Sequence, residues 1–268
     1  MKIPFTKAHG AKNDFLLTWG YQAPHEDLPR VARAICDRHT GIGADGWLLV
    51  RPSSREATGY DASIGLFNAD GSEAEISGNG TRCAAAFLID TGSADEDVRI
   101  LTGAGVKHLR LIERTELRYV FEMNMGRPTF REDQVRMLLP LASGPQEVSV
   151  VDVGNPQCAV FVEEFPLGWR EMAAEIEAHP FFPRHTNVSL VRRVDEHTLE
   201  VRFFERGVGE TMSSGTGSTG AAVAAVLRGI AKSPIRVVTP AGPLDLRLEE
   251  EIYLTGPAEI VAGGEFYL

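Results

Sequence analysis

Cysteine is scarce: three residues in 268, Cys36, Cys83 and Cys158, odd in number, scattered, and without a CxxC pair. That pattern excludes a disulfide framework and argues against a structural zinc site, and a reducing cytoplasm is the expected setting. Basic residues are also short, with 27 Lys and Arg against 37 Asp and Glu for a net charge of −10. Phosphate backbones and anionic membranes repel such a chain, so nucleic acid is not an expected partner. No stretch approaches the roughly 20 apolar residues of a membrane span, and the opening MKIPFTKAHGAKNDF holds no apolar run of signal length. HExxH and GxxxxGK[ST] are missing, and His179 and His185 stand in a Pro- and Phe-rich loop without supporting carboxylates. Neither a metal nor a nucleotide cofactor is expected.

What is present is a series of short alternating or apolar runs punctuated by Gly, Pro, Asn and Asp, the pattern of strands and turns. Trp47–Arg51, Leu117–Met125, Ala159–Val162, Leu199–Glu205, Leu244–Glu249 and Ile252–Thr255 are representative. Helical spacing or Ala-richness marks Pro29–Asp37, Thr81–Asp90, Arg170–Ala178 and Ser218–Arg228. The expected class is α+β, rich in antiparallel sheet.

Sliding the sequence by 137 residues lays FNADGSEAEISGNG (Phe67–Gly80) over FERGVGETMSSGTG (Phe204–Gly217). Phe67/Phe204, Glu73/Glu210, Ser77/Ser214, Gly78/Gly215 and Gly80/Gly217 are identical, and the match continues through Ala84/Ala221 and Ala85/Ala222. Two homologous halves follow, with the join expected near the polar stretch Glu113–Glu116. Each half places a Ser-Gly-x-Gly turn before a helix beginning at Thr81 or Ser218. Uncovered backbone N–H groups and the positive end of a helix suit such a turn to a carboxylate or a developing oxyanion. A single turn of this kind is more often only a tight connection, but the pair, each with the same polar residue, favours a paired anion site. GIGADG (Gly41–Gly46) and GTGSTG (Gly215–Gly220) fit the dinucleotide pattern GxGxxG. The first precedes the strand-like WLLV, and the second lacks an acid about 20 residues on, so nucleotide binding is the poor alternative. Asn13, Asn68, Asn155, Asn187 and the pair Glu205-Arg206 lie in apolar or Gly-rich surroundings. Each Asn alone reads as a turn residue, whereas the set suits a zwitterionic amino acid held at both ends.

The segments HGAKNDF, DRHTGIGADG, FNADGSEAEISGNGTRC, VGNPQCA, TNVSLV, ERGVGETMSSGTG and TGPAEIVAGGEF together resemble the diaminopimelate epimerase family over essentially the whole chain. The resemblance implies two pseudo-symmetric domains, 1–115 plus 256–268 and 116–255, each of strands wrapped around a central helix, with the active site in the cleft between them. It implies cofactor-independent interconversion of LL- and meso-diaminopimelate in lysine and peptidoglycan synthesis. The expected partners are the small-molecule substrate and, at most, a second copy in a homodimer. Carried over by motif, the resemblance implies that Asn13, Asn68, Asn155, Asn187, Glu205 and Arg206 bind the distal amino acid group of the substrate or shape its pocket, and that the Gly78-Asn79 and Gly215-Thr216 backbones cradle the carboxylate on the reacting carbon.

The acid–base positions depart from the family pattern. Where the family carries a cysteine before each Gly-x-Gly, this chain has Ser77 and Ser214, and the family's GNPH reads GNPQ, with Gln157 in place of histidine. Glu205, the acid assisting the second base, is retained. A thiol ionises near pKa 8.5 and lower at a helix N-terminus, roughly within reach of neutrality, whereas a hydroxyl is far less acidic, at about 1.36 kcal/mol per pKa unit. Impaired epimerisation is therefore expected. Three origins fit the double serine: a Cys-to-Ser pair made by engineering, a natural relative that binds an amino acid without epimerising it, or one that isomerises another substrate through Glu205. The first ranks highest, because drift after loss of catalysis would also have eroded the Asn and Glu-Arg set.

Overall fold

A computed structural model describes residues 1–25 and 27–268. Two compact units divide the chain, Met1–Met123 with Gly256–Leu268, and Asn124–Thr255. In chain order the first holds β1 (Lys2–Gly10), β2 (Asn13–Trp19), α1 (Leu28–Cys36), β3 (Gly46–Pro52), α2 (Arg55–Thr58), β4 (Ala62–Asn68), β5 (Glu73–Ala74), α3 (Gly78–Asp90), β6 (Asp97–Thr102), β7 (Gly105–Thr115) and most of β8 (Arg118–Gly126). The second holds β9 (Thr129–Phe130), β10 (Met137–Leu141), β11 (Gly144–Asp152), β12 (Pro156–Val162), α4 (Trp169–Glu177), β13 (Asn187–Arg193), β14 (Thr198–Glu205), β15 (Gly209–Thr211), α5 (Gly215–Leu227), β16 (Ile235–Thr239), β17 (Gly242–Leu248) and the start of β18 (Ile252–Tyr267). The expected join at Glu113–Glu116 is a hairpin connection inside the first unit, since β7 and β8 pair antiparallel around it from Thr115↔Arg118 to Leu109↔Met123.

The internal repeat of the sequence is a repeat of topology. A crossover through α1 sets β2 and β3 parallel, as one through α4 sets β12 and β13 parallel. β3 and β4 pair antiparallel, as do β13 and β14. A second crossover, through α3 or α5, then makes β4 parallel to β6 and β14 parallel to β16. Even the turn chemistry recurs: Thr102 Oγ1 donates to Gly105 O at 2.8 Å and Thr239 Oγ1 to Gly242 O at 2.7 Å.

Helices α3 and α5 are buried on every side from Gly78 to Leu88 and from Gly215 to Ala225. A helix enclosed all round needs small apolar side chains so that strands can approach its axis, which the runs Cys83–Ala86 and Ala221–Ala225 supply. The other face of each sheet is covered by the outer helix. Val31 and Ile35 of α1 pack with Trp47, Leu49 and Phe67. Trp169 and Ile176 of α4 pack with Val160 and Leu190. Strand β3 is thus buried on both faces, which is why WLLV reads as a continuous apolar run. Removing one such side chain, for example Ile35→Ala, costs about 2–5 kcal/mol.

Both central helices begin earlier than their Ala-rich cores suggest, at Gly78 and Gly215 rather than Thr81 and Ser218. The Gly-x-Gly residues form the first helical turn instead of preceding it, because Ser77 and Ser214 are N-caps that take over its orphan amides. Strand β18 runs on to Tyr267, where the sequence suggested an end near Thr255, and its last part pairs with β1. His185, read as lacking a carboxylate, has Nδ1 3.2 Å from Glu177 Oε1 on α4. Among the described residues no helix is long and apolar enough to cross a membrane.

Candidate active site

Ser77 has extended backbone (φ −130°, ψ 120°) and its Oγ accepts from Gly80 N at 3.1 Å. Ser214 repeats this conformation (φ −137°, ψ 123°), and its Oγ accepts from Gly217 N at 3.0 Å. The two hydroxyls differ in what they donate to. Ser214 Oγ donates to Glu205 Oε1 at 2.6 Å, a short charge-assisted bond to the last residue of β14. Ser77 has no carboxylate partner among the described residues; its oxygen carries the cap bond alone.

Around Ser77 the first unit assembles Asn79 and Asn13. Asn79 Nδ2 donates to Asn13 Oδ1 at 3.2 Å, and Asn13 Nδ2 donates to Asp45 Oδ2 at 2.7 Å. Close approach of β1 to α3 leaves little room here, since a Cβ on Gly10 would stand 3.1 Å from Asn79 Cβ and 3.2 Å from its carbonyl oxygen. Arg38 bonds both Asp14 and Asp45, and Lys7 Nζ lies 3.0 Å from Asp14 Oδ2. Burial pushes the Asp14 carboxyl up, but hydrogen bonds and charge from Arg38 and Lys7 outweigh it and hold the group below the usual carboxylate range. Asn68 is set apart from this pair. Its Nδ2 donates to Ser72 Oγ at 3.0 Å in the β4–β5 turn, although the next residue, Ala69, donates to Asp45 O at 3.0 Å and keeps it alongside.

The second unit joins the remaining candidates in short groups of bonds beside the Ser214–Glu205 pair. Gln157 Nε2 donates to Asn155 Oδ1 at 2.7 Å, and Asn155 Nδ2 to Thr216 Oγ1 at 3.4 Å. Gln157 is buried, and its Oε1 has no partner among the described residues. Gly220 makes room for it, since a Cβ there would stand 2.6 Å from Gln157 Cβ. Asn187 Nδ2 donates to Pro156 O at 3.1 Å, and Asn187 Oδ1 accepts from Arg206 N at 3.0 Å. The Arg206 guanidinium bonds the Arg184 carbonyl at 3.3 Å and forms no ion pair among the described residues. Such a cation remains available to a carboxylate ligand.

The three cysteines do not replace the missing thiols. Cys83 and Cys158 are wholly buried, and Cys36 is nearly so. Burial, the first cause in each, pushes Cys36 and Cys83 up to about 12 and Cys158 higher still, so none forms thiolate near neutrality. Sequence reasoning passed over Asp14, Arg38, Asp45 and Arg82 as site residues. Their signal is present in HGAKNDF, DRHTGIGADG and GNGTRC, but only the fold brings them beside Asn13 and Asn79.

A sequence profile for diaminopimelate epimerase matches residues 5–131 and 149–261. The diaminopimelate epimerase of Pelotomaculum thermopropionicum is 38% identical over 279 residues, covering 98% of this chain and 98% of that protein. That of Halothermothrix orenii is 35% identical over 286 residues, covering 100% and 99%. Among solved structures, a hydroxyproline epimerase from Agrobacterium vitis with bound trans-4-hydroxy-L-proline superposes with TM-score 0.76 at 14% identity, over 98% of this chain and 92% of that one; this likeness concerns the fold. Two units with a serine-capped, buried central helix in each, together with the matching profile and these curated relatives, define an amino-acid epimerase scaffold. The chain belongs to the diaminopimelate epimerase family.

Proposed function

We propose that the chain binds diaminopimelate and is laid out for two-base transfer of its α-proton between the LL and meso forms, with Ser77 and Ser214 in the acid–base positions and a rate far below that of a thiol pair. The observation carrying this reading is the matched pair of caps, in which two serines of the internal repeat hold the same conformation and accept the same bond. The first-turn amides of α3 and α5, from Gly78-Asn79 and Gly215-Thr216, bind the carboxylate on the reacting carbon. Arg206, without an ion pair among the described residues, takes the distal carboxylate, with Asn13, Asn68, Asn155 and Asn187 as hydrogen-bonding partners. Glu205 draws the proton of Ser214, while Gln157, which stands where the family carries histidine, has no titratable group to serve as a base.

The Ser214–Glu205 bond favours a second reading, in which one face of a substrate is deprotonated without inversion. Calorimetric titration with the separate stereoisomers of diaminopimelate tests the substrate. Saturable binding of LL- and meso-diaminopimelate is expected; tight binding of a different small acid, with none of diaminopimelate, would transfer the proposal to that second reading. The proposed location is the cytoplasm, whose reducing setting suits three free cysteines.

A further inference from the structure

Arg82 lies one turn into α3 and has no exposed surface. Helical side chains lean toward the N-terminus, and Arg82 Nη2 reaches back to Asn79 Oδ1 at 2.5 Å while its Nε donates to the Pro257 carbonyl at 3.1 Å. From Asn79 the bonds continue through Asn13 to Asp45. This chain of bonds starts at a guanidinium, which can only donate, and ends at a carboxylate, which when ionised can only accept. A carboxamide between two hydroxyls can turn over at little cost. Here, turning Asn79 sets N–H against the guanidinium, and turning Asn13 sets its oxygen against the carboxylate.

The repeat supplies an internal contrast. At the place of Arg82 the second half has Thr219, whose Oγ1 donates to Gly215 O at 2.8 Å within its own helix. The corresponding bonds run from Gln157 through Asn155 to the Thr216 hydroxyl, and both ends of that chain can donate or accept. Stability alone does not account for Arg82. A guanidinium stripped of water, with Nη1 unpartnered and no carboxylate beside it among the described residues, burdens the fold. Burial pushes it down to about 10, which still leaves it charged near neutrality.

We propose that Arg82 and Asp45 are positioning residues that fix the orientation of the Asn79 and Asn13 carboxamides, so that the first unit presents a set pattern of N–H and carbonyl groups to the ligand. This rests on the reading of the Asn13 side chain and the Gly78-Asn79 backbone as substrate-binding. Arg82→Gln retains hydrogen-bonding capacity but can accept as well as donate, Arg82→Lys remains a donor only, and Asp45→Asn releases the other, half-exposed end. Arg38 still bonds Asp14 when Asp45 is changed.

The test uses the full chain, combining side-chain amide NMR with calorimetric titration of diaminopimelate and thermal unfolding. Arg82→Gln should move the Asn13 carboxamide resonances, although Arg82 does not touch Asn13, and weaken binding about tenfold. Arg82→Lys should restore both toward the parent. Asp45→Asn should move the Asn79 resonances and weaken binding with little change in Tm. Unmoved Asn13 resonances in a folded Arg82→Gln protein, or affinities that simply follow Tm through the series, would overturn the proposal. Should Arg82→Gln fail to fold, Asp45→Asn decides the matter, with unmoved Asn79 resonances counting against it. A parent that binds no diaminopimelate would sink the substrate reading, while the NMR comparison still decides whether the amide orientation is fixed from Arg82.

Discussion

Alanine at Ser214 should destabilise the protein more than alanine at Ser77, although both replace the same residue of the same repeat. Each substitution removes one N-cap bond, to Gly80 N at 3.1 Å or to Gly217 N at 3.0 Å. An N-cap serine is worth about 1 kcal/mol. Only Ser214→Ala also deprives Glu205 of a donor at 2.6 Å. A hydrogen bond to a charged group contributes about 1.5–3 kcal/mol, and the lower end applies because Glu205 is only half-buried and can rehydrate. The expected losses are therefore about 1 kcal/mol for Ser77→Ala and roughly 2.5 kcal/mol for Ser214→Ala. In thermal unfolding these correspond to about 2–4 °C and 5–10 °C. Urea titration monitored by tryptophan fluorescence separates the two units, since Trp19 and Trp47 report on the first and Trp169 on the second. Equal losses, or a larger loss at Ser77, would refute the inferred difference between the hydroxyls. Catalysis runs the other way: a thiol is the weaker cap acceptor but the stronger acid, whose thiolate is accessible near neutrality, so serine at both positions favours the fold at the expense of proton transfer.

Arg206→Ala should leave stability nearly unchanged and weaken diaminopimelate binding by about 1.5–3 kcal/mol, measured calorimetrically; unchanged affinity in the folded variant would make Arg206 a surface residue only. Asp14 carries a folded-state pKa below its unfolded value, so it contributes stability above about pH 4 that is lost as pH falls through the folded pKa. Asp14→Asn should therefore be less stable than the parent at pH 7 and converge toward it in acid, as followed by urea midpoints between pH 2 and pH 7; a constant difference would contradict the assignment.

The repeat made the architecture legible, because FNADGSEAEISGNG and FERGVGETMSSGTG announce two units of one topology. Helix starts were misplaced at Thr81 and Ser218 because glycine disfavours helix interiors, and only the cap bonds of Ser77 and Ser214 show that Gly78 and Gly215 are already helical. The last strand was cut short because Gly256-Pro257 reads as a turn, whereas pairing with β1 carries β18 through it. In the second unit Gln157, Asn155 and Thr216 share one chain of bonds, Arg206 N bonds Asn187, and Ser214 bonds Glu205. Asn68 spends its amide on Ser72. Arg82 escaped notice because a charge inside an Ala-rich helix has no local pattern to mark it; its meaning lies in partners at Asn79 and Pro257, the second far away in the sequence.

The most direct measurement is deuterium incorporation at the α-carbon of each diaminopimelate stereoisomer in heavy water, for the parent, Ser77→Cys, Ser214→Cys and the double variant. Inversion needs one group to take the proton and a second to return one on the opposite face. The parent should be nearly silent, each single variant should give at most slow exchange from one face, and the double variant should exchange and interconvert the LL and meso forms. A double-cysteine protein that binds diaminopimelate yet neither exchanges nor epimerises it would contradict the placing of Ser77 and Ser214 at the acid–base positions of this chemistry.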